Sequence, residues 1–156
     1  MKKYNAFAYC TFPAEIESAF PRFGRILNDD FTRPHASLVY IPGLSASEVG
    51  KVAAAVEMLA KRLQPFQISF GDTKCFESNS DSVPWYVEVK GEGFLRLREA
   101  LLSVIDSLDV EINEKFDSFV PHATLQYMKP GESYEGKSPS GDCTISDVHF
   151  AFKEAE

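Results

Sequence analysis

The sequence predicts an α+β fold from three observations. Several short segments alternate apolar and polar residues as half-buried strands do, and longer segments repeat apolar residues at helical spacing. These segments follow one another as strand, helix, strand, helix, a pair of strands, helix and strands, an order that favours an α+β architecture over a doubly wound parallel sheet. No Gly, Pro or Ser-rich linker separates independent domains, so we expect one domain over residues 1–156.

The first half of the chain contains two predicted strands and two predicted helices. Tyr4–Phe12 is an aromatic-rich strand, and apolar residues line one face of a predicted helix over Ala14–Leu27. Pro34–Ile41 is a strand closed by a Pro-Gly turn. Ser45 and Glu48 have capping-box spacing, which predicts that the clearest amphipathic helix begins there and ends before the next proline.

The middle of the chain contains two predicted strands and a helix. Phe66–Phe76 and Val83–Lys90 alternate as strands around a polar loop over Glu77–Ser82. A second amphipathic helix follows from Phe94 and ends near Asp109.

The C-terminal part completes the predicted sheet structure. Phe119–Met128 is a strand, and Pro130–Gly141 is a Gly, Ser and Pro-rich loop. The apolar residues from Ile145 to Phe152 are predicted to form one last strand.

Composition and charge narrow the class of partner. The chain has 16 Lys and Arg against 23 Asp and Glu, a net charge of −7, which disfavours duplex DNA or an anionic membrane surface and leaves a small anionic ligand in a local pocket. No segment approaches the roughly 20 apolar residues of a membrane span. Cys10, Cys75 and Cys143 are odd in number and far apart, which predicts a cytoplasmic protein without a disulfide framework or zinc ribbon. We also expect a monomer without a cofactor.

An internal repeat connects two distant parts of the chain. Pro-His-Ala-Ser-Leu-Val-Tyr at 34–40 matches Pro-His-Ala-Thr-Leu-Gln-Tyr at 121–127, with five of seven positions identical and a sixth exchanging one hydroxyl residue for another. The copies are 87 residues apart, too far for a solenoid period, and each adjoins a helix. A duplicated lobe is the natural explanation.

The repeat carries acid–base chemistry. Because residues i and i+2 of a strand point to one face, His35 and Ser37 project together, as do His122 and Thr124. Near neutral pH, one imidazole can accept a proton while the other donates one to a leaving oxygen. The two hydroxyls would donate hydrogen bonds to non-bridging phosphoryl oxygens. These four side chains therefore suit attack at a phosphodiester, and they demand no metal.

The paired motifs resemble those of the two-histidine (2H) phosphoesterases, a family that includes LigT-like RNA 2',5'-ligases and cyclic phosphodiesterases. That family is marked by two H-x-[ST]-x motifs about this far apart, matched here by His-Ala-Ser-Leu at 35–38 and His-Ala-Thr-Leu at 122–125. The order of strands and helices extends the resemblance over nearly the whole chain.

The resemblance implies both a fold and an activity. The expected fold has two pseudo-symmetric lobes, with two antiparallel sheets flanked by helices and the catalytic pairs facing across a central cleft. The expected activity is metal-independent opening of 2',3'-cyclic phosphates or of related cyclic and 2',5' linkages. Some cyclic phosphodiesterases of the family also place a tyrosine five residues after the second motif histidine, beside the phosphate, and Tyr127 occupies that position. Simple alternation puts Tyr127 on the Ala123 face, so this role requires a bulge or twist in the strand.

Several other side chains have two interpretations each. Arg33 either attracts an anionic substrate or is a solvated charge at a strand entrance. Tyr40, like Tyr127, suits a packed aromatic position more than a ligand position. Trp85 and Tyr86 are candidates to stack on a base, although alternation favours a core position for Trp85, with Val87 and Val89. His149 is expected at the surface or at a sheet edge, and the alternative of a three-histidine metal site lacks ligand spacing.

The sequence thus predicts a metal-independent phosphodiesterase. His35 and His122 share the base and acid roles, and either histidine fits either role. Ser37, Thr124, Tyr127 and Arg33 are the predicted substrate-binding residues, for a small nucleotide, a cyclic oligonucleotide or an RNA end. Two alternatives are a nucleotide- or RNA-end-binding module with little turnover and an RNA 2',5'-ligase, for which so acidic a chain is poorly suited.

Overall fold

The computed structural model describes residues 1–21, 33–77, 81–110 and 119–155. In these ranges the strands are Tyr4–Thr11 (β1), His35–Leu44 (β2), Phe66–Cys75 (β3), Val83–Lys90 (β4), His122–Met128 (β5), Asp142–Ile145 (β6) and His149–Glu154 (β7). The helices in the same ranges are Ala14–Glu17 (α1), Ala46–Arg62 (α2) and Glu92–Ser107 (α3). The predicted α+β class is confirmed.

The strands form one antiparallel sheet in the order β6-β3-β4-β5-β2-β1-β7. The resemblance had implied two sheets, and the structure differs because β2 and β5 are hydrogen-bonded neighbours, with Ala36 opposite Ala123. That register pair joins the two halves of the chain. Both copies of the repeat therefore lie side by side at the middle of a continuous sheet.

The seven-stranded sheet must be strongly curved. Six strand spacings in a flat sheet span about 29 Å. Strands β6 and β7 lie at opposite edges, yet the four Cα–Cα steps from Ile145 to His149 reach at most about 15 Å. Phe12, after β1, also contacts Phe70 of β3, with ring centroids 5.5 Å apart, although three strands separate β1 from β3 in the sheet. The two halves of the sheet therefore approach each other.

Helices α2 and α3 supply most of the packing on one side of the sheet. The Ser45 side chain accepts a hydrogen bond from the Glu48 amide and the Glu48 carboxylate accepts one from the Ser45 amide, so the predicted capping box is present. The apolar residues of both helices join one core with the buried strand residues. That core contains Ala36, Leu38, Ala123 and Leu125, all 0% exposed.

Two predicted elements differ from the structure. The helix predicted over Ala14–Leu27 begins at Ala14 but its regular part ends at Glu17, because Pro21 disfavours helical geometry in the residue before it. The rest of that prediction, from 22 to 27, lies outside the described residues, as does 78–80 of the predicted polar loop. The single last strand is instead two strands at opposite edges, since Ile145 pairs with Phe66 whereas His149 pairs with Tyr9.

In the part of the chain that the structure describes, no helix is both long enough and apolar enough to cross a membrane.

Candidate active site

Both copies of the repeat place their polar side chains on one face of the sheet. Ala36 and Ala123 face each other across β2 and β5 and are fully buried on the helical side. By alternation, the side chains before and after each alanine point to the opposite face. This face, called the motif face below, carries the predicted residues His35, Ser37, His122 and Thr124.

The antiparallel register also decides which side chains are neighbours. With Ala36 opposite Ala123, the position before one alanine lies beside the position after the other. Thr124 therefore lies beside His35, and Ser37 lies beside His122. Each histidine is accompanied across the strands by the hydroxyl of the other copy.

Both motif histidines are held by the same backbone interaction. His35 Nδ1 lies 2.9 Å from the carbonyl oxygen of Arg33, and His122 Nδ1 lies 2.7 Å from that of Val120. A carbonyl oxygen can only accept a hydrogen bond, so Nδ1 carries the proton in both rings. In the neutral form of each imidazole the lone pair is then on Nε2, the nitrogen that can exchange a proton with a substrate.

Aromatic residues of neighbouring strands flank each imidazole. The Tyr86 ring lies edge-on to His122 at 5.3 Å, and Phe76 lies edge-on to it at 4.9 Å. Tyr9 lies edge-on to His35 at 5.6 Å, and Phe7 lies 5.8 Å from it. In register, Tyr9 is opposite Ser37 and Tyr86 is opposite Thr124, so the two tyrosines occupy equivalent positions. Tyr86 is 6% exposed and is buried against His122 on the motif face.

The half-buried position of His122 shifts the pKa of its imidazole. Desolvation lowers the pKa of His122 below its ordinary value of 6.5, and the hydrogen bond to Val120 opposes that shift in part. The register partner of His122 is Glu88, whose carboxylate lies 3.3 Å from the Lys74 ammonium. The desolvation thus favours the neutral form of His122.

The surroundings of His35 are more polar. Its register partner Thr11 donates a hydrogen bond to Asp147, at 3.1 Å. His149 Nε2 lies 3.2 Å from the same carboxylate, and its ring stacks on Tyr9 at 5.3 Å. His149 thus lies at the β7 edge of the sheet, as predicted, and β1 separates it from the first motif. Among the described residues, no group of three or more His, Cys, Asp and Glu side chains is placed to hold a metal ion.

Arg33 lies at the start of the first motif. Its guanidinium pairs with the Glu17 carboxylate, and that hydrogen bond raises the pKa of Arg33. Its carbonyl oxygen holds His35. The structure thus gives Arg33 a backbone contact with the motif that the sequence analysis did not anticipate, while its charge is partly compensated.

A β-bulge follows the hydroxyl residue in each copy of the repeat. The register between β1 and β2 skips Leu38, and the register between β4 and β5 skips Leu125. These leucines occupy the same position of the repeat. The extra residue reverses the alternation that follows it, so Tyr127, opposite Pro84, lies on the motif face. The bulge that the predicted role of Tyr127 requires is therefore present.

Arg98 is a buried residue that the sequence analysis missed. It is 5% exposed on α3, and its guanidinium donates a hydrogen bond to the carbonyl oxygen of Leu38, the bulged residue of β2. The same guanidinium lies 3.7 Å from the centroid of Phe119, just before Val120 and the second motif. Arg98 therefore contacts the first motif and Phe119, which lies two residues before the second motif. Its position four residues after Phe94, on the apolar stripe of the helix, was the available signal.

Comparison with known proteins identifies the family. A model of the 2'-5' RNA ligase superfamily matches residues 14–140. The chain belongs to this superfamily of two-histidine phosphoesterases, which confirms the resemblance stated from the motifs. A search of curated proteins found no match.

Solved structures share the fold over nearly the whole chain. TT0787 of Thermus thermophilus is 20% identical, with a TM-score of 0.70, and the match covers 100% of this chain and 96% of that one. E. coli LigT complexed with 3'-AMP is 16% identical, with a TM-score of 0.63 and coverage of 99% and 96%. The MHV ns2 PDE domain is 18% identical, with a TM-score of 0.52 and coverage of 90% and 97%. The chain therefore has the LigT-like fold.

Proposed function

We propose that this protein is a metal-independent phosphodiesterase that hydrolyses nucleotide cyclic phosphates, or 2',5' or cyclic oligonucleotide linkages, by two-histidine acid–base catalysis. One observation carries the proposal: two imidazoles with the same protonated Nδ1 lie with two hydroxyls on one face of adjacent strands. Two imidazoles can supply both proton transfers of a phosphodiester hydrolysis, so no metal-bound water is needed.

His122 is the proposed general base. A base must be neutral before it accepts a proton, and burial lowers the pKa of His122 in that direction. Its Nε2 takes a proton from water as the water oxygen attacks phosphorus.

His35 is the proposed general acid. In its charged form Nδ1–H remains bonded to Arg33, and Nε2–H gives its proton to the sugar oxygen as the phosphorus–oxygen bond breaks. The nearby Asp147 carboxylate, bonded to Thr11, favours a positive charge in this region. The proton taken by His122 and the proton lost by His35 balance, so one water is consumed per bond broken.

Four other side chains complete the proposed site. Ser37 and Thr124 donate hydrogen bonds to the non-bridging oxygens, where negative charge develops in the transition state. Tyr127 contacts the substrate from the same face. Arg33 contributes positive potential for an anionic substrate, although its pairing with Glu17 limits that contribution.

The names of structural relatives support a nucleotide substrate and this reaction type. The LigT structure contains 3'-AMP, and the ns2 domain is named a PDE domain. The proposed location is the cytoplasm, on the cysteine usage, and the proposed state is a monomer. The superfamily name supports RNA 2',5'-ligation as a second candidate, since ligation reverses cleavage of the same linkage.

The proposal is tested with purified protein, excess EDTA and a panel of 2',3'-cyclic nucleotides, 2',5'-linked dinucleotides and cyclic oligonucleotides, with products identified by mass spectrometry. Wild-type protein should cleave at least one class, and His35→Ala or His122→Ala should lower kcat by at least about 100-fold. His149→Gln is the matched control and should stay within a few-fold of wild type. Full activity in either motif variant would refute the mechanism, and joining of RNA ends carrying a 2',3'-cyclic phosphate would favour the ligase.

A further inference from the structure

The two bulges expose one tyrosine in each copy of the repeat. Tyr40 is 47% exposed and Tyr127 is 54% exposed, although the sequence analysis favoured packed positions for both. Tyr40 is opposite Phe7, which contacts His35, so Tyr40 shares the motif face. Without the bulge at Leu38, alternation would turn Tyr40 toward the buried core. A bulge at the same position of each copy thus places both tyrosine rings on the motif face, with the histidines.

The two tyrosines lie at opposite ends of the motif face. Strands β2 and β5 are antiparallel, and Ala36 is paired with Ala123. The residues that follow Ala36 and those that follow Ala123 therefore extend in opposite directions. If the bulged leucine is not counted, each tyrosine lies three residues along its strand from the Ala36–Ala123 pair. Six steps of about 3.3 Å separate them by about 20 Å along the strands. They are therefore too far apart to enclose a single base, and the four motif side chains lie between them.

An exposed aromatic ring beside a phosphodiester site suits a nucleobase. Every base has a π-face, and base–aromatic stacking supports binding of single-stranded nucleic acid without demanding a particular sequence. A mononucleoside cyclic phosphate has one base and can occupy one of the two tyrosines. A substrate with a nucleoside on each side of the scissile phosphate can occupy both.

We infer that Tyr40 and Tyr127 form two nucleobase subsites flanking the scissile phosphate, which makes 2',5'-linked or cyclic oligonucleotides the preferred substrates over mononucleoside 2',3'-cyclic phosphates. This inference rests on the proposed function for the position of the phosphate. Tyr40 becomes a specificity-determining residue, the counterpart in the first copy of Tyr127 in the second. The phenol hydroxyl is not required, since stacking uses the ring.

Binding measurements test the subsites without relying on turnover. In a His122→Ala background, which prevents hydrolysis, isothermal titration calorimetry compares a 2',5'-linked dinucleotide, a cyclic dinucleotide and a mononucleoside 2',3'-cyclic phosphate. Tyr40→Ala and Tyr127→Ala should each weaken binding of a dinucleotide by between about 5-fold and 100-fold. The mononucleoside ligand should be weakened by no more than one of the two variants. Tyr40→Phe should retain dinucleotide binding.

Phe152→Ala is the matched control, because Phe152 is an equally exposed aromatic residue opposite Ala6, on the buried-alanine side of the sheet. It should leave dinucleotide binding within about 2-fold of the parent. The inference is overturned if Tyr40→Ala binds both dinucleotides like the parent, if Phe152→Ala is weakened equally, or if the parent binds neither dinucleotide more tightly than the mononucleoside ligand. Absence of cleavage by wild-type protein, with the dinucleotide affinities responding as expected, would refute the proposed reaction and leave the subsites standing.

Discussion

The two halves of the motif face have the same backbone and different surroundings. Each half has a histidine bonded to the carbonyl two residues earlier, a bulged leucine after the hydroxyl residue, and a tyrosine edge-on to the imidazole. Beyond these features they diverge. His122 is half-buried against Phe76 and Tyr86. Near His35, by contrast, Thr11 is hydrogen-bonded to Asp147, and Tyr9 stacks on His149.

This divergence favours a different role for each histidine. The imidazole with the lower pKa is the better candidate for the neutral base. Desolvation lowers the pKa of His122 and so favours its neutral form. On the other side of the β2–β5 pair, a carboxylate lies in the polar cluster around Thr11. The repeated motif thus gives the two histidines equivalent backbone positions, and the flanking strands make their surroundings different.

The largest expected effect tests the shared part of the comparison. Ser37→Ala and Thr124→Ala should each lower kcat by at least about 10-fold, because each removes one donor to a transition-state oxygen. Ser37→Thr and Thr124→Ser give each copy of the repeat the hydroxyl residue of the other copy. Both variants keep a hydroxyl, so they should retain most of the activity. Steady-state kinetics on the substrate found with the panel measures both pairs. An alanine variant within 2-fold of wild type would remove that hydroxyl from the mechanism.

The next effect tests the connection between the halves. Arg98→Met removes the donor to the buried Leu38 carbonyl and the cation over Phe119, so it should lower the free energy of unfolding by about 1–3 kcal/mol. Arg96→Met is the control on the same helix, where an exposed arginine pairs with Glu92 at 2.9 Å, and it should cost less than about 0.5 kcal/mol. Urea denaturation measures both.

Activity of the folded Arg98 variant separates packing from positioning. Because Arg98 contacts Leu38 of the first motif and Phe119 just before the second, kcat should fall several-fold in Arg98→Met under conditions where it is fully folded, and it should recover in part in Arg98→Lys. A destabilised Arg98→Met protein with wild-type kcat would limit Arg98 to a packing role.

The sequence predicted the features that follow from local pattern. The repeat predicted that each histidine projects with the hydroxyl two residues after it, and the periodicity located α2 and α3, because alternation and helical spacing are properties of short segments. The pairing of the two motif strands within one sheet was not predicted. The cross-strand neighbours Tyr9, Tyr86 and Phe76 were missed, since register is set by pairing between distant segments.

Two further differences have the same origin in long-range structure. A bulge is visible only as a skipped residue between paired strands, so the exposed position of Tyr40 could not follow from alternation alone. The split of the predicted last strand into β6 and β7 depends on sheet curvature, which brings two distant edges within reach of a short connection. Both features are decided by the assembled sheet.

The smallest expected effect tests the difference between the halves, and it is a shift in pH dependence. The general base must be deprotonated, so kcat/KM should rise with pH through the pKa of His122, which burial places below 6.5. Phe76→Ala admits water to the imidazole, which relieves the desolvation and raises that pKa. The acidic limb should therefore move to higher pH by less than about one unit. Phe7→Ala, the equivalent change beside His35, should leave this limb in place. A limb that moves in Phe7→Ala and stays in Phe76→Ala would exchange the roles of the two histidines.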